Sequence, residues 1–452
     1  MKDHLLFFSI AYNKKGSSMK EITVNQWQNH YILSDELDVI IDFLQPGLTK
    51  IKKHKHEDFK VKYVHDHKLD AQEESFANRI HNKTPRTFSV VIISSYECNM
   101  QCVYCYEGET RAIESKMTQQ QIRMIIECIA TLHNQFGYNK LEITLLGGEP
   151  LLIEHKLLYS SLFEGIRETM PYLPVQISII TNGLEIHRFV PSSPWVTNAT
   201  FQVTLDGPEF IHNKRRIPLD QFVNGFQKIT ENIDLLLSLD LRTEVRVNID
   251  HDNYQEIPGL VEFVKAKKWN RNELFSMYLY PVSENGCQKE AEYESESKML
   301  KKLVDTIVDI DPKDHFFKLA FHGVSFVDRL LKSKMPLPHT KFCAATINQY
   351  VFDPLGNVYS CWWGISDKNF KIGEFSPKSE VYKIWEDSLT HWHTRDVQNI
   401  DECQRCKYKY ICGAGCAYKS QSKKGYTHKS NCSDFELILK EYLGYKSIIG
   451  EI

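Results

Sequence analysis

Cysteine is the residue type whose spacing most restricts the chemistry of this chain. Of its twelve cysteines, three lie at 98, 102 and 105 and seven lie between 343 and 432. The N-terminal residues lack the apolar length and small-residue cleavage site of a secretory signal, so a cytoplasmic protein is expected. Because thiols stay reduced in the cytosol, clustered cysteines indicate metal or redox sites rather than disulfides.

The first cluster has the spacing C-x3-C-x2-C and directly follows an apolar stretch at 88–95. Three thiolates on one loop can hold three irons of a [4Fe–4S] cluster and leave the fourth iron open to a small molecule. Structural zinc is the alternative interpretation. It normally takes four ligands, and no fourth candidate lies near these three.

Length and composition restrict the class of protein. The chain has 452 residues, 42% of them hydrophobic, with 55 basic and 58 acidic residues. That length predicts two or three domains. The balanced charge gives no reason to expect a nucleic-acid partner, and without a run of about 18 apolar residues no membrane span is predicted.

The middle of the chain alternates between apolar strands and amphipathic helices. This pattern predicts an α/β fold with a parallel sheet, as a partial (β/α)6 TIM-like barrel with its chemistry at the C-terminal ends of the strands. The predicted strands are 88–95, 141–148, 175–183, 199–207, 242–250 and 274–282, and the predicted helices are 118–135, 155–169, 220–239, 255–267 and 291–310.

In their cysteine motif and their pattern of strands, residues 88 to about 282 resemble the radical S-adenosylmethionine (SAM) superfamily. The resemblance implies that Cys98, Cys102 and Cys105 bind a [4Fe–4S] cluster and that SAM chelates its open iron. One electron would then cleave SAM to methionine and a 5′-deoxyadenosyl radical, which abstracts hydrogen from the substrate. An external electron donor of the flavodoxin or ferredoxin type is implied as a partner.

The resemblance also implies SAM contacts at the ends of the strands. Gly147-Gly148-Glu149 ends the second strand, where two glycines permit a close approach of the backbone and a carboxylate can pair with an ammonium group. In the family this element holds the amino group of SAM. The other expected contacts are Tyr104, Thr181, Asn182, Asp206, Arg216 and Arg246. The structural alternatives are a simple turn for the glycines, loop packing for Tyr104, and ion pairs for the two arginines.

The second cysteine cluster follows the pattern C-x12-G-x4-C, then C-x2-C-x5-C-x3-C, then a last cysteine. A double zinc ribbon is one interpretation. The pattern resembles the SPASM domain, which carries two auxiliary [4Fe–4S] clusters, so that three clusters are expected in all. The resemblance assigns an outer set, Cys403, Cys406, Cys412 and Cys432, and an inner set, Cys343, Cys361 and Cys416.

The inner set has only three cysteines, so one iron would be open. Cys287 could close it, or a substrate cysteine could bind there, which would favour a thioether product. The remaining cysteine, Cys128, lies in an amphipathic run and is expected to be a small buried hydrophobic residue.

Three domains are predicted: an N-terminal domain at 1–85, a radical SAM core at 86–310 and a SPASM domain at 311–452. The N-terminal segment is expected to be a small α+β domain. It would contain strands at 5–12 and 21–33, a helix between Ser34 and Pro46, a basic wing at 50–68 and a polar helix at 71–81. A winged-helix element that recognises a leader peptide is one candidate for it, and a structural cap on the barrel is the other.

Three functions compete. The first is a radical SAM maturase of oxidoreductase type that installs a thioether or carbon–carbon cross-link in a ribosomally made precursor peptide (RiPP biosynthesis). The second is an anaerobic sulfatase-maturating enzyme that forms formylglycine, and the third is a non-catalytic Fe–S scaffold. Sulfatase maturases have an Asp base directly after the second inner cysteine, whereas Trp362 and Trp363 follow Cys361 here, so the first function is favoured. Asp353, Asp367 and Tyr280 are further candidates near the expected cavity.

Overall fold

A computed structural model describes most of the chain. The described residues are 20–24, 26–32, 37–42, 47–52, 59–63, 73, 87–282, 294–311, 314–332, 339–376, 381–432 and 434–452. Within these residues, none of the helices has the length and apolarity of a membrane span.

The strands of the described residues form one large sheet and three small ones. The strands are β1 (Lys20–Val24), β2 (Gln28–Ile32), β3 (Leu37–Asp42), β4 (Gly47–Lys52), β5 (Phe59–Tyr63), β6 (Thr87–Ile93), β7 (Met100–Cys102), β8 (Lys140–Leu146), β9 (Val175–Thr181), β10 (Ala199–Thr204), β11 (Arg216–Pro218), β12 (Arg242–Ile249), β13 (Phe275–Pro281), β14 (Phe317–Leu319), β15 (Gln349–Phe352), β16 (Asn357–Tyr359), β17 (Lys371–Ser376) and β18 (Val381–Ile384).

The helices lie between the strands of the barrel and across the C-terminal region. They are α1 (Gln119–Phe136), α2 (Lys156–Thr169), α3 (Ile186–Phe189), α4 (Glu209–Arg215), α5 (Gly225–Ser238), α6 (Ile257–Ala266), α7 (Glu296–Ile307), α8 (Val324–Leu331), α9 (Glu386–His393), α10 (Asp401–Gln404), α11 (Lys409–Cys412), α12 (Ala417–Lys424) and α13 (Phe435–Ile448).

The parallel barrel sheet predicted from the sequence is confirmed. Strands β6, β8, β9, β10, β12 and β13 are adjacent in this order, and every neighbouring pair is parallel. These strands bury nearly all of their apolar side chains, as expected when both faces of a parallel sheet are covered. The predicted helices are also present, within a few residues of their predicted ends except at 220–239 and 291–310, which are shorter in the structure.

The structure adds strands at both edges of this barrel sheet. The short strand β14 pairs with β13, and β15 pairs in parallel with β6. From β15 the chain continues through β16, β17 and β18 as an antiparallel meander whose first turn contains Gly356 at φ +85°. The cysteine-rich C-terminal region is therefore joined to the barrel by a continuous eleven-stranded sheet.

The helix predicted between Ser34 and Pro46 is wrong. Residues 37–42 form β3, which pairs antiparallel with β2 and β4. The β-branched run Val39-Ile40-Ile41 explains the error, because Val39 and Ile41 alternate along a strand and are both fully buried. The strand predicted at 5–12 lies outside the described residues, as does the helix predicted at 71–81 apart from Glu73.

The described N-terminal residues pack against the C-terminal cysteine region. The ring of Trp27 stacks on Tyr410 with their centroids 6.2 Å apart. The ammonium group of Lys409 lies 2.8 Å from the carboxylate of Glu73. Trp27 and Tyr410 share a small hydrophobic core with Cys403, so the N-terminal strands are anchored beside the second group of cysteines.

Candidate functional site

The first three cysteines lie on a loop that directly follows β6 and is fixed by backbone hydrogen bonds. Strand β7 within the loop pairs antiparallel with β11. The N–H of Cys105 donates to the carbonyl of Cys102 at 3.2 Å, which curls the chain between these two residues. Cys98, Cys102 and Cys105 are all partly exposed. Three soft ligands on one ordered loop form a donor set that could hold an iron–sulfur cluster.

Gly147 and Gly148 allow the end of β8 to lie directly against this loop. The N–H of Gly148 donates to the carbonyl of Ser95 at 3.2 Å, and that of Glu149 donates to the carbonyl of Glu97 at 2.8 Å. A Cβ on Gly148 would lie 2.0 Å from the Glu97 carbonyl oxygen. Glycine is required because any side chain here would push the cysteine loop away from the barrel.

The side chain of Glu149 ties two strand ends together. One carboxylate oxygen accepts the Thr181 hydroxyl at 2.6 Å and the Leu151 N–H at 2.9 Å, and the other accepts the Asn182 N–H at 2.7 Å. The residue is 1% exposed. Burial raises the pKa of Glu149 to about 7, although these three donors act in the opposite direction.

Asn182 extends the same contacts to the cysteine loop. Its side-chain amide donates to the Asn99 side chain at 2.7 Å and lies 3.8 Å from the sulfur of Cys98. Its oxygen accepts the N–H of Leu184 at 2.9 Å, which fixes the turn after β9. The structure therefore brings the predicted residues Glu149, Thr181 and Asn182 into one hydrogen-bonded group beside Cys98.

Tyr104 is the centre of a second group. Its hydroxyl donates to the buried carboxylate of Asp206 and accepts from Arg216 Nη1 at 2.8 Å and Asn248 Nδ2 at 3.1 Å. Burial acts against the charge of Arg216, but the neighbouring Cys102, Tyr104 and Asp206 raise its pKa well above the ordinary value. The predicted residues Tyr104, Asp206 and Arg216 therefore form one network beside Cys102.

Arg246 lies next to this network. Its Nε donates to the Asn248 side chain at 2.8 Å, and its guanidinium lies 4.1 Å from the centre of the Tyr280 ring. Asn248 therefore connects Arg246 to Tyr104. The cation–π contact also accounts for Tyr280, which the sequence placed near the site without a role.

Arg215 has a role that was not predicted from the sequence. This residue is buried, and its guanidinium contacts the carboxylate of Asp250 at 2.7 and 2.9 Å. It also lies 4.9 Å from the centre of the Tyr104 ring, on the path between Asp250 and Asp206. The only sequence signal was its position beside Arg216. Two adjacent arginines do not reveal which one forms an ion pair and which one lies next to a site.

The seven C-terminal cysteines separate into two groups in space. Burial raises the pKa of Cys343 to about 11, and the thiol of Cys416 acts in the same direction. Burial also raises the pKa of Cys361 well above its ordinary value, and Cys416 and Cys343 are its thiol neighbours. Cys343, Cys361 and Cys416 are therefore close together, in the combination expected for the inner set.

The other four cysteines form the second group. Burial raises the pKa of Cys412 to about 12, and Cys406, Cys403 and Cys432 are the thiols that add to this effect. A group of four thiols fits a metal site, because metal binding displaces their protons and neutralises the resulting charge. Cys287 lies outside the described residues. Cys128 is buried in the barrel core, as predicted.

Two predicted acidic residues have local structural partners. Asp353 is fully buried and accepts the Tyr96 hydroxyl at 2.9 Å and the Asn357 N–H at 2.7 Å. Asp367 begins a short helical turn and accepts the N–H of Asn369 at 2.9 Å. Neither arrangement points to a catalytic base.

Trp363 lies between the two cysteine regions. Its ring is 5.2 Å from that of Tyr106, next to Cys105, and 5.9 Å from that of Tyr418, two residues after Cys416. Trp362 is also partly buried. Trp363 therefore bridges the loop of the first three cysteines and the helix that follows Cys416.

Comparison with known proteins agrees with this arrangement. A family model described as a 4Fe-4S single cluster domain matches residues 89–229. A cysteine-type anaerobic sulfatase-maturating enzyme of Clostridium perfringens (strain 13 / Type A) is 21% identical over 73% of this chain and 89% of that protein. The mycofactocin maturase MftC of Mycolicibacterium smegmatis is 23% identical over 71% of this chain and 76% of that protein.

Two solved structures share the fold. The structure of native anSMEcpe with bound AdoMet has a TM-score of 0.58 at 18% identity and covers 80% of this chain and 96% of that one. Streptococcus suis SuiB bound to the precursor peptide SuiA has a TM-score of 0.52 at 13% identity and covers 91% and 99%. Together with the cysteine motif on its barrel loop, these similarities support a radical SAM enzyme of the SPASM type.

Proposed function

We propose that this protein modifies a ribosomally made precursor peptide by radical chemistry and installs a cross-link in it. The observation that carries the proposal is that the Cys98–Cys105 loop, the buried Glu149 group and the Tyr104 network meet at one end of the barrel. Relatives named as maturases, and the similar structure of SuiB bound to a precursor peptide, support a peptide as the substrate class.

The first cysteine group would bind a [4Fe–4S] cluster and SAM. Cys98, Cys102 and Cys105 would hold three irons, and the fourth iron would remain for SAM. When bound and cleaved by one electron, SAM supplies a 5′-deoxyadenosyl radical that abstracts hydrogen from the substrate. The electron would come from a flavodoxin- or ferredoxin-type donor.

The residues around this loop would position SAM. The Gly147–Glu149 element would take the amino group, while the surrounding network would orient the carboxylate and ribose. Arg216 and Arg246 offer positive charge, and Asp206 is held rigidly by three partners, Tyr104, Arg215 and the Asn248 N–H. The proposed contacts are Tyr104, Gly147, Gly148, Glu149, Thr181, Asn182, Asp206, Arg216 and Arg246.

The C-terminal cysteines would hold two auxiliary [4Fe–4S] clusters within a SPASM domain at 311–452, which follows the radical SAM core at 86–310. The outer cluster would use Cys403, Cys406, Cys412 and Cys432, and the inner one would use Cys343, Cys361 and Cys416. The anaerobically reconstituted protein should then bind about twelve irons. Joint replacement of Cys98, Cys102 and Cys105 by Ala should remove about four and abolish SAM cleavage. Stoichiometric zinc with little iron would contradict the proposal.

A thioether is the favoured product, with a carbon–carbon cross-link as the alternative bond. The inner set has three cysteines, so a substrate thiolate could act as the soft fourth ligand before it forms a bond to carbon. Cys287 is the competing ligand. Cluster spectroscopy of wild type and Cys287→Ala, with and without peptide, distinguishes the two. If Cys287 ligates the cluster and stays bound when peptide is added, capture of a substrate thiolate is wrong.

Formylglycine formation is the second candidate, because the sulfatase-maturating relative aligns over 89% of its length. Against it, Trp362 occupies the position directly after Cys361 where that family has an Asp base. The two reactions differ in their mass change. A cross-link removes two hydrogens and keeps the sulfur of a cysteine, whereas formylglycine formation from cysteine removes the sulfur. Mass spectrometry of a precursor peptide and of a sulfatase-derived peptide, each treated with enzyme and SAM, decides between them.

We also propose that residues 1–85 recognise the leader part of the precursor. The described meander β2–β3–β4 has two outer strands that a leader peptide could extend by strand addition. Deletion of the segment would remove Trp27 from a shared core, so competition is the cleaner test. A separate leader peptide should bind and inhibit modification of the full precursor without changing basal SAM cleavage. If it neither binds nor competes, the segment is a structural cap.

A further inference from the structure

Arg395 is a buried cation in the C-terminal cysteine region. The residue is 1% exposed and belongs to the largest fully buried side chains described. Its guanidinium donates to three backbone carbonyls: Nε to Thr427 at 2.6 Å, and Nη2 to Ala414 at 3.2 Å and Lys429 at 3.1 Å. None of these acceptors carries a charge. Among the described residues, Nη1 is buried without a hydrogen-bond partner.

The position of these carbonyls places the guanidinium between the two cysteine groups. Ala414 lies between Cys412 of the outer set and Cys416 of the inner set, and its carbonyl also accepts the N–H of Asn431, next to Cys432. The N–H of Val397 donates to the carbonyl of Thr340 at 3.0 Å, which ties the segment after Arg395 to the chain just before Cys343.

The electrostatic surroundings agree with this position. Burial lowers the pKa of Arg395, while Cys343 and Cys416 from one set and Cys403 and Cys412 from the other act in the opposite direction. A buried charge without an anionic partner is costly. Arginine does not lose its proton in proteins, so the charge of Arg395 has to be balanced. Anionic metal–thiolate groups on both sides would balance it.

We propose that Arg395 is the shared counter-charge of the two auxiliary clusters and that it raises the reduction potentials of both. This rests on the proposed auxiliary clusters. A fixed positive charge at low dielectric stabilises the more negative, reduced form of a neighbouring cluster. Because cysteines of both sets are electrostatic neighbours of the same guanidinium, its removal should shift both clusters in the same direction.

The test compares Arg395→Gln with Arg395→Lys in the full, reconstituted chain. Midpoint potentials are measured by a redox titration followed by electron paramagnetic resonance, with the first cluster identified by its response to SAM. In the Gln variant the ratio of reduced to oxidised auxiliary clusters at a fixed potential should fall about tenfold, equivalent to about 59 mV for one electron. The Lys variant should stay close to wild type. Lys371→Met removes a half-buried cation elsewhere in the same region, on β17, and is the matched control.

The iron content of each variant is measured together with its midpoint potentials, so that a change in potential can be told from loss of a cluster. If the Gln variant keeps its iron and its potentials are unchanged, the proposal is wrong. If it loses iron while the Lys variant keeps iron and wild-type potentials, the positive charge is required and the proposal stands. If both variants lose iron, or both shift equally, the hydrogen-bonding geometry matters rather than the charge, and the proposal is overturned. A wild-type protein with only about four irons would instead refute the proposed auxiliary clusters.

Discussion

Replacement of Glu149 by Gln should remove a pH dependence from the stability of the barrel. Glu149 is buried, and its carboxylate accepts three hydrogen bonds that connect the ends of β8 and β9. Burial favours the neutral acid, whereas these donors favour the carboxylate. The balance raises the pKa from its ordinary 4.5 to about 7.

The direction of the pH effect follows from this shift. A carboxyl group that titrates at higher pH in the folded protein than in the unfolded chain binds more protons when folded. Its contribution to stability is complete below about pH 4.5 and is lost as the pH rises through about 7. At about 1.4 kcal/mol for each pH unit between the two pKa values, wild type should lose about 3 kcal/mol relative to the Gln variant over this range.

The assay is urea unfolding of the cluster-free protein at several pH values. Gln cannot ionise, so its contribution to stability does not change with pH. Its amide would face the N–H of Asn182, but the cost of that contact is the same at every pH. It therefore does not affect how the difference in unfolding free energy between wild type and variant changes with pH. Glu142→Gln, at a surface carboxylate 2.8 Å from Lys140, is the control and should change stability by less than about 1 kcal/mol. A Glu149 difference that stays constant within about 1 kcal/mol would show that the buried group is ionised throughout.

Two further predictions concern the packing of the cysteine loop. Gly148→Ala should destabilise the protein by about 3 kcal/mol or more and lower the iron content, because the new Cβ would collide with the backbone carbonyl of Glu97. The control is Gly444→Ala in α13, where an added Cβ would have no neighbouring atom within 4 Å, and it should be neutral or stabilising by up to about 1 kcal/mol. Equal urea midpoints for the two variants would contradict the prediction. Tyr96→Phe should cost about 1–3 kcal/mol in the same assay, because the buried Asp353 would lose a hydrogen-bond donor, and an unchanged midpoint would show that this bond is dispensable.

The barrel could be predicted because its local and long-range signals agree. Apolar, β-branched strands separated by amphipathic helices are stable in few arrangements other than a covered parallel sheet. The error at residues 37–42 has the opposite cause. Ser34, Asp35 and Pro46-Gly47 are helix boundary residues, but the same residue types also make turns between strands. Pairing with β2 and β4 decided the outcome, and pairing cannot be read from one segment.

The candidate site was also predictable where its signals are local in sequence, and not where they depend on distant residues. Cysteine spacing is a local property, so both cysteine motifs could be recognised from the sequence, and in the structure the seven C-terminal cysteines interact as groups of three and four. Arg215 and Arg395 were not found, because the role of each depends on groups distant in sequence. Asp250 lies 35 residues from Arg215. Ala414 and Lys429 lie 19 and 34 residues from Arg395.

The continuous sheet explains how the first cysteine loop keeps a fixed relation to the inner cysteine group. Strand β6 ends in that loop and is paired on both sides, with β8 carrying Gly147–Glu149 on one side and β15 on the other. From β15 the chain passes Asp353, which holds Tyr96 of the loop, and reaches Cys361 two residues after β16 ends. Trp363 then fills the interval between Tyr106 and Tyr418. Because both groups are attached to neighbouring strands of the same sheet, they are held at a constant separation. The proposed radical chemistry would depend on this rigidity, because reacting groups must be held in a fixed geometry.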